Sequence, residues 1–193
     1  PSYDFYLTLF DLPFLYYMKY KKFENYKPYL NFDKLNNSLF NNIINKKNIN
    51  IGICWKSNLD SHNKSFALKN FEKISKVKNI KLISLQLNDE DDIKNVNFHV
   101  TTLSQLGVKN DFYNTARLMK SLDLVITCDT SICHLAGSIE VSTWLLLKKI
   151  PDWRWLIKNQ IWYKNFTFFY QNFEFDWNDV FDNIYNKLIK INK

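Results

Sequence analysis

The segment from Leu122 to Leu147, LDLVITCDTSICHLAGSIEVSTWLLL, constrains the fold most strongly, because it predicts a strand, a tight turn, a helix and a second strand in succession. Residues 124–127 form an apolar, β-branched run, which is typical of a strand buried on both faces. Residues 128–131 are small and polar, as expected where a strand ends, and Gly137 lies near the expected end of the helix. This alternation of strand and helix predicts a parallel sheet.

The polar turn of this segment is a candidate site for an anionic ligand. Asp129, Thr130 and Ser131 directly follow the strand, and His134 comes about one helical turn later. In open parallel sheets ligands bind at the carboxyl ends of strands, and helix N-termini attract anions. The same residue types are also preferred helix caps, and a lone histidine among apolar residues is commonly structural, so spacing alone leaves both interpretations open.

The composition fits one folded domain in a reducing compartment. The 193 residues are 46% hydrophobic and 17% aromatic, which argues against global disorder. The cysteines, Cys54, Cys128 and Cys133, show no metal-ligand spacing, and two of them lie in or beside apolar strand runs, so buried free thiols and a cytoplasmic location are expected. Because no cluster of His, Cys and carboxylate residues is evident in the sequence, no metal site is predicted.

The net charge of +7 does not by itself indicate nucleic-acid binding. Arginine occurs only at positions 117 and 154, and the lysines are scattered rather than clustered. Proteins that read nucleic acids group their basic residues on one face and favour arginine, so no nucleic-acid partner is predicted. No apolar run reaches membrane-spanning length, and the opening PSYDFYLTLF lacks the basic region of a signal peptide.

The chain divides into an arm and a domain. Residues 1–48 mix Lys, Tyr and Phe, include one short predicted helix at 33–44, and are expected to form a connecting arm that packs on a neighbour. Residues 49–193 hold the alternating strands and helices of a Rossmann-like domain. An amphipathic helix at 176–190 is expected to close this domain, either across the sheet edge or back onto the arm.

The remaining elements follow from hydrophobic periodicity and capping residues. Ser65 and Asp111 are the expected caps of two helices, and Gly52 within a strand marks close approach of a backbone or a ligand. The acidic run at 88–92 is interpreted as a solvated loop, because a metal site needs carboxylates that converge in space. Strands are predicted at 49–55, 81–87, 96–100 and 166–170, and helices at 66–77 and 112–121. The order predicts an α/β, doubly wound parallel sheet.

Four stretches, in this order and spacing, resemble a known family: ICWKSN (53–58), LISLQ (82–86), LDLVITCDTSICHLAGS (122–138) and WLLLKKIPDWRW (144–155). They are similar to the C-terminal domain of bacterial tetratricopeptide-repeat glycosyltransferases, which are relatives of O-linked N-acetylglucosamine transferases (O-GlcNAc transferases) and, more loosely, of heptosyltransferases. The resemblance implies the GT-B plan, in which two Rossmann-like domains hold a sugar nucleotide between them. This chain would be the C-terminal, donor-binding half.

The resemblance also implies which residues hold the donor. Asp129, Thr130, Ser131 and His134 match a D-T-x-x-x-H-L-A-G segment that binds the diphosphate and the ribose. Hydroxyls and amide groups at a helix start are suited to phosphate oxygens. His134 is the implied catalytic residue, which would stabilise charge on the leaving diphosphate, either protonated or donating from one nitrogen.

The end of the first strand supplies the other predicted ligands. Lys56, Ser57 and Asn58 match a W-x-G-N pattern and are expected to contact the donor, although Ser57 stands where the family tends to have glycine. The cation that faces the diphosphate is Lys56 or Lys64. Position at a strand end favours Lys56, whereas Lys64 is also compatible with a solvated loop charge.

A D-W-R-W stretch matches residues 152–155 and is expected near the mouth of the cleft. Within it, Trp153, like Trp55 at the first strand, is interpreted as a packing anchor rather than as a base-stacking residue.

Taken together, the resemblance implies an inverting, metal-independent glycosyltransferase domain. Its donor would be a nucleotide sugar linked to UDP, ADP or GDP, with no further cofactor, and its acceptor an unidentified protein or glycan. A preceding GT-B half and tetratricopeptide repeats are the implied partners. The alternative is a non-catalytic nucleotide-binding module that docks a partner through residues 1–48 and the tryptophan-rich stretch.

Overall fold

The fold is an α/β sandwich built on one five-stranded parallel sheet, and it is seen in a computed structural model. The strands are β1 (Ile49–Cys54), β2 (Ile80–Ser84), β3 (Leu124–Cys128), β4 (Thr143–Leu147) and β5 (Phe166–Tyr170). The helices are α1 (Leu12–Tyr20), α2 (Glu72–Ser75), α3 (Glu90–Lys94), α4 (Phe112–Met119), α5 (Ser131–Ser138) and α6 (Asn178–Ile191). The residues described are 2–9, 11–20, 27–30, 40, 44–57, 63–109, 111–156 and 162–191.

The strand order is β2-β1-β3-β4-β5, and every neighbouring pair is parallel. The predicted α/β, Rossmann-like doubly wound sheet is therefore confirmed. Strands β3 and β4 are buried at every position, as their continuous apolar composition predicts for strands covered on both faces.

Alternate side chains of the central strands feed two separate apolar cores. On β3, Leu124 and Ile126 point into the core that α6 and the crossover after β1 cover, whereas Val125 points into the core beneath α4 and α5. On β1, Ile51 and Ile53 join the first core, and Cys54 joins the second. Because successive side chains of a strand point to opposite faces, each of these strands packs against helices on both faces of the sheet.

This topology places a ligand crevice at the carboxyl ends of β1 and β3. The chain leaves β1 toward β2 on one side of the sheet, and it leaves β3 toward β4 and β5 on the other. The connections therefore diverge at that point, which is the topological switch where open α/β sheets bind their ligands.

The crossover after β1 differs from the single helix predicted at 66–77. It forms a 3-10 turn at Leu68–Phe71 and then the short helix α2. Ser65 does not cap it, because the residue at the N-cap position is Ala67. The Ser65 hydroxyl oxygen instead accepts the Ser57 amide at 3.0 Å. Asp111, by contrast, caps α4 as predicted and accepts the Asn114 amide.

Position 52 requires a glycine because neighbouring side chains, and not another backbone or a ligand, occupy the space that a Cβ atom would need. A Cβ at this position would lie 2.6 Å from Leu85 Cδ1 and 2.7 Å from Leu122 Cδ1. The glycine thus makes room for two leucines that cover β1 from the α4 side.

The segment between β2 and α4 also departs from its prediction. The acidic run is not simply a solvated loop, because residues 90–94 form α3 and its Asp92 contacts Trp55 and Lys56, which directly follow β1. No strand forms at 96–100; a single parallel bridge joins Thr101 to Ile83 at the outer edge of β2.

The last helix, α6, lies on a face of the sheet and not across its edge. Its Phe181 packs edge-to-face on Phe71 and on Phe66, in the core that β1 and β3 line. The same face of α6 contributes Ile184 and Leu188, which are almost completely buried.

The predicted arm is described only in part. The helix expected at 33–44 lies largely outside the described residues, although Phe40 and Ile44 are buried in the core beneath α4 and α5. The Leu30 amide donates to the Ser138 carbonyl at 3.3 Å. Helix α1 has no buried residue. A boundary at residue 48 remains a prediction.

None of the helices in the described part of the chain has the length and apolarity needed to cross a membrane.

Candidate functional site

A pocket of about 260 Å³ opens at the switch point, between the carboxyl ends of β1 and β3 and the start of α5. Four of the predicted site residues line it together, namely Lys56, Ser57, Thr130 and Ser131. The other lining residues come from the ends of β1 and β2 and the starts of α4 and α5: Cys54, Leu85, Gln86, Leu87, Asp111, Phe112, Thr115 and Ile132. The pocket therefore combines hydroxyl groups at the first turn of α5 with apolar side chains from the end of β2 and the start of α4.

The hydroxyl groups at this turn are positioned by the capping geometry of α5. Thr130 has an extended backbone, and its hydroxyl oxygen accepts the Ile132 amide at 3.3 Å. The capping interpretation of this threonine is therefore correct. Capping does not exclude ligand binding, because Thr130 and Ser131 also line the pocket beside the positive end of the helix dipole.

Gln86 fixes the end of β1 and was not singled out by the sequence analysis. Its side-chain oxygen accepts the Lys56 amide at 2.9 Å and the Trp55 amide at 3.3 Å, and the Cys54 thiol lies 3.3 Å away. Only its position near the end of the strand predicted at 81–87 hinted at this role. The bonds hold the backbone that carries Lys56 and Ser57 into the pocket wall.

Asp129 lies beside the pocket at the centre of a charged cluster. Its side chain is 6% exposed, and its carboxylate pairs with Lys64 at 2.8 Å and with Arg154 at 3.9 Å. Arg154 in turn binds Asp152 at 2.8 Å. Burial by itself would raise the pKa of Asp152, but the hydrogen bonds from Arg154 outweigh it and lower that pKa.

The two candidate cations occupy different positions. Lys64 is not a solvated loop charge, since its side chain is 20% exposed and bound to Asp129. Lys56 lines the pocket, is 47% exposed and pairs with Asp92, which also accepts the Trp55 indole N–H at 2.9 Å. Asn58, the remaining predicted ligand from this strand end, lies outside the described residues.

The two tryptophans predicted to be packing anchors, Trp55 and Trp153, differ in their exposure. Trp55 is completely buried, in agreement with the packing interpretation. Trp153 is 43% exposed and meets Trp162 edge-on at 6.5 Å, so packing does not account for its whole surface.

His134 lies one helical turn from the pocket wall and contacts aromatic residues. Its Nδ1 is 3.0 Å from the Tyr163 hydroxyl, and its ring stacks on Trp155 with centroids 5.5 Å apart. Burial lowers the pKa of His134 below its ordinary 6.5, and the charge of Arg154 lowers it further. At neutral pH the imidazole is therefore uncharged, which favours the role of a neutral donor over that of a cation.

The lowered pKa of His134 predicts a specific pH dependence of stability. Between the folded-state pKa and 6.5, the unfolded chain binds more protons than the folded one, so the free energy of unfolding falls as the pH is lowered through this window. We expect His134→Gln to reduce this slope. Urea unfolding at several pH values between about 5 and 8 measures it.

The same substitution at His99, beside the outer edge of β2, is the matched control for loss of an imidazole. Equal slopes in the two variants and the parent would contradict the assignment of the pH dependence to His134.

Asp129, Cys133 and His134 each offer a metal-ligand atom, and these atoms lie within 4.8 Å of one another. Two features oppose a metal ion there. Lys64 already supplies a cation to Asp129, and burial raises the pKa of Cys133 well above its usual range, with the Asp129 charge adding to the effect. These two features disfavour a metal ion at this trio, because its one carboxylate already pairs with Lys64.

No protein-family model and no curated protein sequence matches this chain. Solved structures do resemble it. The E. coli ADP-heptose LPS heptosyltransferase II has a TM-score of 0.61 at 12% identity, and the match covers 87% of this chain and 55% of that one. For the E. coli heptosyltransferase WaaC with ADP, the TM-score is 0.54 at 14% identity, with coverage of 81% and 48%.

A glycosyltransferase of family 9 from Veillonella parvula has a TM-score of 0.53 at 12% identity, with coverage of 81% and 42%. This chain therefore spans about half the length of the structures that it resembles. At such identities the likeness establishes the fold. The structural neighbours are heptosyltransferases and family 9 glycosyltransferases.

Proposed function

We propose that this chain is the donor-binding half of a GT-B glycosyltransferase and that its pocket takes the nucleoside diphosphate of a sugar donor. The observation that carries the proposal is the convergence of Lys56, Ser57, Thr130 and Ser131 on one pocket at the topological switch point of the sheet. The fold likeness to heptosyltransferases, one of them solved with ADP, supports it.

The chemistry of the pocket suits a nucleoside diphosphate. Leu85, Leu87 and Phe112 provide apolar surface for a nucleoside, and the start of α5 offers hydroxyls and a positive dipole end to phosphate oxygens. Lys64 and Arg154, next to this turn, add cationic charge. Charge-assisted hydrogen bonds of this kind are stronger than neutral ones.

His134 is the proposed catalytic residue, in its uncharged form. A neutral imidazole that donates one hydrogen bond can stabilise the negative charge that develops on a leaving diphosphate. The stacking on Trp155 and the contact with Tyr163 restrict the ring to one orientation. Asp129 is proposed to orient Lys64 and Arg154, and to accept a ribose hydroxyl only where the ion pairs leave an oxygen accessible.

The proposal includes the stereochemistry and metal independence of the transfer, its partners, its location and its donor. An inverting, metal-independent transfer is consistent with a cluster whose cations are lysine and arginine side chains. The resemblance of the four sequence stretches to bacterial tetratricopeptide-repeat and O-GlcNAc transferases motivates a preceding GT-B half and helical repeats as partners, and a cytoplasmic location. The donor is an ADP-, UDP- or GDP-linked sugar, needs no further cofactor and passes its sugar to a protein or glycan.

Calorimetric titration with ADP, UDP and GDP, each compared with its nucleoside, tests the proposal. We expect at least one diphosphate to bind about tenfold more tightly than its nucleoside, because charge-assisted contacts to phosphate contribute about 1.5–3 kcal/mol. In Lys64→Met this preference should fall, since the cation paired with Asp129 is lost.

Lys76→Met is the matched control, because the side chain of Lys76 is 72% exposed and pairs with Glu72, four positions earlier in the sequence. It should bind like the parent. Equal loss in both variants, or no preference for any diphosphate in the parent, would refute the proposed site.

A nucleotide-binding module without catalysis is the second candidate. The observation that favours it is α1, whose side chains are all at least partly exposed although most are apolar or aromatic, so it offers a docking surface. Incubation with a radiolabelled sugar nucleotide separates the two candidates. Hydrolysis or transfer supports the enzyme, and binding without turnover supports the module.

A further inference from the structure

A second cavity, of about 90 Å³, opens at the carboxyl ends of β4 and β5. Lys148 and Lys149 line it directly after β4, and Gln171 lines it directly after β5. Because all five strands are parallel, this cavity lies on the same edge of the sheet as the pocket described above, two strand spacings or about 10 Å along it. The proposed function does not use these three residues.

The side-chain amide of Gln171 holds an unused hydrogen-bond donor. Gln171 is 5% exposed, and its side-chain oxygen accepts the Lys149 backbone amide at 3.3 Å. Its side-chain nitrogen is buried and finds no acceptor among the residues that the structure describes. Buried polar groups in folded proteins nearly always have a hydrogen-bond partner, so an orphaned donor on a residue that lines a cavity indicates that the cavity holds an acceptor.

The charge around this donor favours an anion. The ammonium groups of Lys148 and Lys149 bring two positive charges to the cavity, against the one negative charge of Glu174, which also lines it. Ammonium groups and the amide nitrogen of glutamine only donate hydrogen bonds, so a ligand that satisfies all three must present acceptor oxygens. A carboxylate or a phosphate does so with charge-assisted hydrogen bonds, which are stronger than neutral ones.

The size of the cavity suits one small anionic group better than a whole nucleotide. Its 90 Å³ exceed the volume of about 30 Å³ that one water takes up in the liquid, and they are about a third of the 260 Å³ of the first pocket. Ile150 and Phe175 also line the cavity and are 66% and 73% exposed. They offer apolar surface to the carbon skeleton that carries the anionic group.

We propose that this cavity is a second binding subsite, which takes one carboxylate or phosphate group through Gln171, Lys148 and Lys149. The group belongs either to the sugar of the donor or to the acceptor. This choice of source rests on the proposed function, whereas the anion subsite itself does not. Lys148 also lines a small cleft beside Asp129 and Lys64, and it therefore lies between the second cavity and the charged cluster next to the first pocket.

The test compares anionic sugars with their neutral counterpart on the full chain. Glucuronate and glucose 6-phosphate differ from glucose at one carbon, which carries the anionic group. We expect one or both to bind at least about tenfold more tightly than glucose, because charge-assisted hydrogen bonds are stronger than neutral ones, and to shift the NMR signals of the Gln171 side-chain amide. Equal binding of all three sugars, or no shift of those signals, would overturn the proposal.

A matched pair of glutamine variants tests the donor. Gln171→Glu removes the donor nitrogen but keeps an oxygen for the Lys149 amide, so the preference for an anionic sugar should be lost. Gln105→Glu is the control, because the Gln105 side-chain oxygen likewise accepts a backbone amide, that of Thr102 at 2.9 Å, and Gln105 does not line the cavity.

Lys149→Met changes an exposed residue and should reduce the same preference, which keeps the test decisive where Gln171→Glu does not fold. An equal loss in Gln105→Glu and Gln171→Glu, or an unchanged preference in Lys149→Met, would contradict the assigned donors.

Nucleotide-linked sugars separate the two sources of the anionic group. If the donor carries it, UDP-glucuronate should bind more tightly than UDP-glucose, and Lys149→Met should remove the difference. If the acceptor carries it, the two conjugates should bind equally, and free glucuronate should still shift the Gln171 signals in the presence of UDP. Binding of an anionic sugar without binding of any nucleoside diphosphate would refute the proposed function and leave the subsite standing. Nucleotide binding with no preference for an anionic sugar would refute the subsite alone.

Discussion

Replacing Asp129 by asparagine is expected to lower the free energy of unfolding by about 3 kcal/mol, because it removes the buried carboxylate with which Lys64 and Arg154 pair and leaves both cations charged. Asp129 is the most enclosed member of its cluster, with a side chain 6% exposed. Its loss leaves Lys64 and Arg154 facing each other without the carboxylate that separates them. Urea unfolding measures the change.

Asp182→Asn is the matched control for this substitution. Asp182 also pairs with a lysine, Lys73, at 2.6 Å, but both side chains are more than half exposed. Exposed pairs contribute at most about 1 kcal/mol, so this variant should unfold almost like the parent. An excess of inorganic pyrophosphate should restore part of the stability of Asp129→Asn, because an anion can take the place of the lost carboxylate. Equal effects of the two substitutions would show that burial does not set the energetics of the cluster.

The sheet could be predicted because its strands are apolar on both faces. The predicted strand at 166–170 coincides with β5, and the predicted strand at 124–127 is β3 with one further residue. The central segment continues into α5 and β4 in the predicted order, although α5 already begins at Ser131, within the predicted turn. Elements outside the sheet were predicted less well. The run from Phe66 to Val77 has helical periodicity, yet Phe66 and Phe71 pack on α6 residues, and this tertiary contact selects a 3-10 turn followed by one short helix.

Only the site residues that lie between the end of a strand and the start of a helix could be predicted from the sequence. Thr130 and Ser131 follow a strand directly, and they do line the pocket. Asp92 and Gln86 could not be identified, because their roles depend on contacts across more than 30 positions of sequence. Lys64 was underestimated for the same reason, since its partner Asp129 is 65 positions away. Only a weak indication in the sequence, namely that it is one of two arginines in the chain, suggests that Arg154 belongs to the site.

Of the glycines in the chain, Gly137 is expected to tolerate substitution by a larger residue least. It lies inside α5 and does not have the left-handed backbone of a helix terminus; that conformation belongs to Glu140, at φ 60°. A Cβ at position 137 would overlap the ring of Tyr163, which is 93% buried by its surroundings and contacts His134 through its hydroxyl. Gly137 therefore allows the close approach that positions the catalytic candidate.

Gly137→Ala is accordingly expected to lower the free energy of unfolding by about 2 kcal/mol, which is an overpacking cost of about 3 less about 1 for better helix propensity. The displaced tyrosine should also release His134, so the pKa of that ring should rise toward its ordinary value in an NMR titration. Gly107→Ala is the control, because Gly107 has φ +64° and no neighbour within 4 Å, so it tests backbone strain alone. In the double variant Gly137→Ala/Tyr163→Leu the overlap disappears, and the two substitutions should destabilise less together than the sum of their separate effects. Strict additivity would show that the tyrosine ring is not what requires a glycine at this position.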